Sequence, residues 1–272
     1  WLPTIWNPRQ NMAAVQAPSD LDERYFTIPV DYLTAGAGEL GVPSSLVTGM
    51  ALHLDAGQGV TKAIVSGYGD QLISQWADQS GNSRHATQST DTNKPWVVES
   101  IFNGHPALRF TSDASLSISG AGAALNPEEY TIFVVFSGAR TADSGSDKGY
   151  NLFYTTDDTC LQTDTVRFRT FDSGGAEDVA LPDFTCRGFL DEPHIITAQA
   201  SGSSGSQVMT IRNNGLSGTT TSSLTLIERT SGDFQIALDA RTSASDNFDG
   251  CIAEILIYTS ALRHRQGTTL LS

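Results

Sequence analysis

The residue types best suited to chemistry in this chain start at Asp78, in the run Asp78-x-Ser80-x-Asn82. Oxygen donors at alternate positions open a Ca²⁺ loop, because a hard cation gathers carboxylates, amide oxygens and carbonyls. The later Glu that completes such a loop is missing. Ca²⁺ held by Asp78 and Asn82 is therefore one reading. Capping of its own turn by Asp78 is the preferred one. Asp157, Asp158, Asp246 and Asp249 are further oxygen donors that read equally well as solvated loop residues. A second chemistry belongs to rings. Tyr68, Trp96 and Tyr150 flank expected loops, where an exposed aromatic beside polar groups can carry a sugar. The alternative for Trp96 is that it packs inward, since tryptophan is highly buried on average.

Nucleophilic chemistry finds little support. Asp172-Ser173-Gly174-Gly175 mimics part of a serine-protease loop. That mechanism needs a His base oriented by an Asp, and His53, His85, His105, His194 and His264 are scattered without a base motif. A Gly-rich turn accounts for the four residues. No Gly-rich phosphate loop, His-Glu-x-x-His or Cys-x-x-Cys occurs. Cys251, within the apolar run to Tyr258, reads as a small buried hydrophobe. Cys160 and Cys186 sit in polar surroundings and are a candidate disulfide for an oxidising compartment.

The bulk numbers narrow the partners. A formal net charge of −14 and a pI near 4.5 argue against nucleic acid, whose phosphates need a basic face. No apolar run approaches the ~20 residues that span a bilayer, so no membrane insertion is expected.

The elements that must position these residues read as short strands. Met50, Leu52 and Leu54 alternate with Ala51, His53 and Asp55, the signature of a half-buried strand. Residues 57–69 form a loop or short hairpin. Asn103-Gly104 turns one strand into the next, since both residues tolerate positive φ. Tyr130 to Phe136 is apolar on both faces and is expected to be a central strand buried on either side. Residues 173–187 are expected to be irregular, and a weak helical pattern runs over 261–271. A dozen or so short strands with regular turns describe a two-sheet antiparallel β-sandwich.

Residues 76–88 tie this pattern together. Trp76 ends a strand, and Asp78, Ser80, Gly81 and Asn82 supply a self-capped turn. Trp-Ala-Asp-Gln-Ser-Gly-Asn followed by His-Ala-Thr-Gln resembles the opening signature of laminin G-like jelly rolls in the concanavalin A-like lectin/glucanase superfamily. Matching pieces are Leu52 to Ala56, Asn103 to Phe110, Tyr130 to Phe136 and Phe248 to Tyr258, in the family's order. The resemblance covers most of residues 46–262. It implies an all-β jelly-roll β-sandwich with a short C-terminal helix, and modules of this kind are common in phage structural and bacterial surface proteins. It fixes no activity, because the fold hosts lectins, glycanases and structural modules alike. The Glu-x-Asp-x-x-Glu strand of its β-glucanases is absent, as are the Gln-x-His and Tyr-rich strands of its alginate lyases. Asp239 and Glu254 each stand alone on their strands. No catalytic residue is assigned, and Ca²⁺ is the one cofactor the resemblance leaves open.

Residues 1–45 differ from the jelly-roll domain at 46–272. Pro3, Pro8, Pro18, Pro29 and Pro43 stud a stretch that alternates only over 25–33. It cannot bury a core of its own, so Trp1, Trp6, Tyr25 and Phe26 need a surface from elsewhere. These features describe an extended arm docking on another structural subunit, with a homo-oligomer and surface glycans as expected partners. The expected setting is a virion or the cell surface, and the abrupt end at Ser272 suggests that more chain follows.

Overall fold

The computed structural model describes residues 49–65, 69–111, 113–125, 129–137, 151–155, 159–162, 167–172, 175–180, 194–203, 205–213, 216–222, 232–237 and 248–262. The arm residues Trp1, Trp6, Tyr25 and Phe26 lie outside these, as do Cys186 and nearly all of the expected C-terminal helix. Ala261 and Leu262, its first two positions, are not helical.

The strands are β1 (Met50–Asp55), β2 (Val60–Val65), β3 (Gly69–Trp76), β4 (Ala86–Thr87), β5 (Trp96–Phe102) and β6 (His105–Phe110). There follow β7 (Leu116–Ile118), β8 (Tyr130–Ser137), β9 (Asn151–Thr155), β10 (Thr159–Gln162), β11 (Arg167–Asp172) and β12 (Gly175–Ala180). The chain continues through β13 (His194–Ser201), β14 (Gln207–Asn213), β15 (Leu216–Ser222), β16 (Phe234–Ile236) and β17 (Gly250–Tyr258). The pairings are antiparallel throughout. One layer runs β1-β17-β8-β13-β14-β15. The other runs β2-β3-β4-β7-β16-β9-β10-β11-β12. The β5–β6 hairpin joins them, with β5 touching β3 at Leu72↔Trp96 and β6 pairing with β17.

Period-2 alternation assigns each strand a core face. Leu52 and Leu54 of β1, Ile132, Val134 and Phe136 of β8, and Ile196 and Ala198 of β13 belong to one buried cluster. Ile252, Ile255 and Ile257 of β17 join it, as do Trp76, Leu116, Phe234 and Ile236 from the second layer and Phe110 from the bridging hairpin. The indole of Trp76 is fully buried, with β2 on one side and β4 on the other. Its Nε1 has no hydrogen-bond partner among the described residues.

Several expectations need correction. β8 is central, between β17 and β13, but only one of its faces meets the main core. Phe133 and Val135 point the other way and are half-buried, because the second layer lies on one side only. Of the two readings for residues 57–69, the hairpin holds: β2 pairs antiparallel with β3. Within 173–187, Gly175–Ala180 is a strand paired with β11 from Asp172↔Gly175 to Arg167↔Ala180. Backbone pairing with a neighbour organises that stretch, and its residue types give no alternating signal. The Asn103-Gly104 turn forms as expected, with φ of 51° and 90°. Gly250 has a steric reason to be glycine. A Cβ there would sit 2.4 Å from both the Ser137 carbonyl oxygen and the Phe248 ring.

Trp76→Ala should lower unfolding free energy by about 3–5 kcal/mol, as expected for truncating a large buried aromatic. Urea denaturation measures it. A loss below ~1 kcal/mol would remove Trp76 from the centre of the core.

Candidate functional site

The Asp78 turn is built from the residues the sequence singles out. Asp78 Oδ1 accepts from the backbone N–H of His53 (3.0 Å) and of Ser80 (2.9 Å). Oδ2 accepts from the Ser80 hydroxyl (2.9 Å) and the Arg84 N–H (3.0 Å). Burial raises the pKa of this carboxyl, but the three N–H donors and the hydroxyl outweigh it and hold the group below the ordinary aspartate value. Its N–H donates to His85 Nδ1 at 3.0 Å. Asn82 turns its amide nitrogen, a donor, to the carbonyls of Met50 (3.0 Å) and Ala51 (3.2 Å). Arg84 Nη1 donates to the Ala51 carbonyl at 2.6 Å. The lone pairs of Asp78 are therefore engaged by donors, and the turn grips β1. This is the capping geometry, and a Ca²⁺ ion would have to displace these bonds.

A different cluster forms on the outer side of the β5–β6–β17–β8 surface. Trp96 lies opposite Arg109, Arg109 opposite Cys251, and Cys251 opposite Ser137. Their neighbours Val97, Leu108, Ile252 and Phe136 face the core, so the row faces away from it, with Trp96 and Arg109 half-buried and Cys251 and Ser137 buried. The Arg109 guanidinium lies over the Trp96 ring at 5.9 Å from the centroid, within cation–π range. Arg109 Nη2 meets Asp249 Oδ1 at 2.5 Å, and Nη1 donates to the carbonyls of Gly250 (3.2 Å) and Phe110. Both side chains of the pair keep about a quarter of their surface in solvent (27% and 25%).

Beside this row a small apolar patch gathers Phe102, Ala107, Cys251 and Ala253, with Ile101 and Val135 packed against it. Burial pushes the Cys251 thiol up, Arg109 pulls it down and Asp249 raises it, for a net raised pKa. Such a thiol is a poor nucleophile. Further along β17, Glu254 is the direct cross-strand partner of Asp55. His53 Nε2 contacts Glu254 Oε1 at 3.0 Å, and Asp55 Oδ1 accepts from the Gly57 N–H at 2.7 Å. Glu254 stands alone on β17, as the sequence implies, and its carboxylate neighbour comes from β1.

Of the sequence-derived sugar candidates, only Trp96 can be placed, because Tyr68 and Tyr150 lie outside the described residues. Asp157, Asp158 and Asp246 lie outside them too. Arg109 and Asp249 complete the site, and the sequence signal for them is faint: each sits at an end of a motif piece already recognised. Among the described residues no group of three or more His, Cys, Asp or Glu is placed to hold a metal.

No family model matches the chain, and no curated protein matches it by sequence. Solved structures do. Domain 4 of an extracellular arabinanase from Geobacillus stearothermophilus, in complex with arabinotriose, aligns with 79% of this chain and 94% of its own, at 10% identity and a TM-score of 0.50. A structure of botulinum neurotoxin type C, whose cell entry depends on two ganglioside molecules, aligns with 81% of this chain at 12% identity and a TM-score of 0.54. The receptor-binding domain of the mosaic serotype C/D toxin aligns with 79% at 12% identity and a TM-score of 0.52. This chain spans about half the length of the two toxin chains (50% and 48%). At these identities the likeness is one of fold, an all-β sandwich.

A carboxyl held below its unfolded pKa supports the fold above that unfolded value, and the support is lost as pH falls through the folded one. The melting temperature should therefore drop below about pH 4, the unfolded aspartate range. Asp78→Asn should flatten part of that acid limb and lower stability at neutral pH. An acid limb identical to that of the parent protein would show that the carboxylate does not carry it.

Proposed function

We propose that this chain is a non-catalytic, laminin G-like jelly-roll module that recognises glycans within an extracellular or virion assembly. One observation carries the reading: a half-buried indole on the side of the sandwich facing away from the core, with a guanidinium over its ring. Sugar rings offer apolar C–H faces to such a ring and hydroxyls to polar groups at its edge, and fixing the ring in advance lowers the entropy lost on binding. The arabinotriose complex and the ganglioside-dependent toxin, both built on this sandwich, add support without transferring a ligand to this chain. Within this reading, residues 1–45 dock on a neighbouring subunit through Trp1, Trp6, Tyr25 and Phe26, and the assembly is homo-oligomeric.

A second reading has a specific observation in its favour. Asp55 and Glu254 face one another across β1 and β17, and directly opposed strand residues have Cβ atoms ~4.5–5.5 Å apart. A retaining glycosidase needs two carboxyls ~5–5.5 Å apart. Against it, Asp55 is engaged by its own turn and Glu254 by His53.

On a glycan array, with and without chelator, at least one neutral or acidic glycan class should bind. Trp96→Ala should weaken that binding ~10-fold or more while leaving the fold intact, as for loss of an aromatic anchor. Retention of full affinity by the variant would remove Trp96 from the site. Release of reducing or unsaturated sugars from a polysaccharide panel, abolished in Glu254→Gln, would replace the non-catalytic reading with the hydrolase or lyase one.

A further inference from the structure

We infer that the ligand of the Trp96 site is an uncharged glycan, and that Asp249 is the residue that sets this preference; the inference rests on the glycan-recognition reading above. Carboxylated or sulfated sugars are recognised where a cation has free donors, above all the fork of an arginine. Among the described residues, each cation on the strands and turns beside Trp96 has a carboxylate opposite it, tightly for Arg109 and Lys94 and loosely for the exposed Lys62. Arg109 is held by Asp249 at 2.5 Å and by the carbonyls of Gly250 and Phe110. Lys62 on β2 faces Glu99 of β5 at 3.9 Å. Lys94, two residues before the ring, is buried and paired with Asp91.

Among the described residues, what this leaves facing a ligand is an aromatic ring with no unbalanced positive charge, and carboxylates beside it. An anionic sugar arriving there meets Asp249, about a quarter exposed, at the edge of the same cluster. It would either lie near that carboxylate unpaired or have to take Arg109 from it. Breaking a half-buried Arg–Asp pair leaves the Asp249 carboxylate without its partner, a cost that offsets the new contact. The protein's overall charge of −14 adds a long-range penalty of the same sign. An uncharged sugar meets neither obstacle. Arg109 acts here as a positioning residue that braces the indole, and Asp249 cancels its charge.

The test uses matched glycan pairs that share a backbone and differ by one carboxylate, such as a galactan with a galacturonan and an asialo with a sialylated oligosaccharide. Affinities are measured by titration calorimetry on the full chain. The neutral member of each pair should bind ~10-fold or more tightly than its acidic counterpart, and its affinity should change little between low and high salt, since no ion pair forms. Asp249→Asn, checked for folding by thermal melting, should narrow the gap by freeing the Arg109 donors for the acidic member. Equal or tighter binding of the acidic glycans by the unaltered protein would overturn the inference while leaving glycan recognition in place. Failure of both members to bind would instead remove the recognition reading itself. The matched pairs decide the question even if Asp249→Asn does not fold.

Discussion

The backbone amides of β17 must be satisfied from three strands, and this constraint organises the molecule. On one side they pair with β8 along nearly the whole strand. On the other they pair first with β6, as far as Ile252, and then with β1 from Glu254 onward. The handover falls at Ala253, where the β8 register shifts. There the Ala56 N–H closes the gap between the two partners by donating to the Ala253 carbonyl at 2.9 Å. A buried amide without a partner costs about 1–3 kcal/mol, so the first strand and the bridging hairpin must both arrive for the last strand to be stable.

The Asp78 turn secures one of those arrivals. Its carboxylate holds the His53 N–H, and Asn82 and Arg84 bind the carbonyls at the start of β1. The turn sits immediately after Trp76, so this fully buried indole and the clamp on β1 are two positions apart. Packing fixes where the layers meet, and hydrogen bonds fix how the first strand lies against the last. The outer row from Trp96 to Ser137 follows from the same arrangement, because β5 and β6 reach β17 only where β1 leaves it free.

What the sequence revealed depended on whether a side-chain pattern or a neighbour determines the element. Tyr130–Ser137 announced itself by its apolar run, and Asn103-Gly104 by its tolerance of positive φ. Thr159–Gln162 and Gly175–Ala180 did not, because mostly polar or small residues there are held by pairing with β11. The site divides in the same way. Trp96 could be named from its type and its place beside a loop. Its braces could not, since Arg109 reaches Asp249 only after β6 and β17 are in register. His53 and Glu254 are 201 positions apart in the chain, and nothing local to either announces the other.

The irregularity at Ala253 also bears on how this chain can vary. Upstream of it Ile252 faces the interior, and downstream Ile255 and Ile257 do, so a single extra residue keeps two stretches in phase across different partners. Were the chain to run straight through Ala253 without the bulge, the downstream half would invert, presenting two isoleucines to solvent and pressing a glutamate into oil. Backbone shape at this point is therefore less tolerant of change than identity: a swapped side chain is a local matter, while a straightened backbone would turn over the whole closing edge.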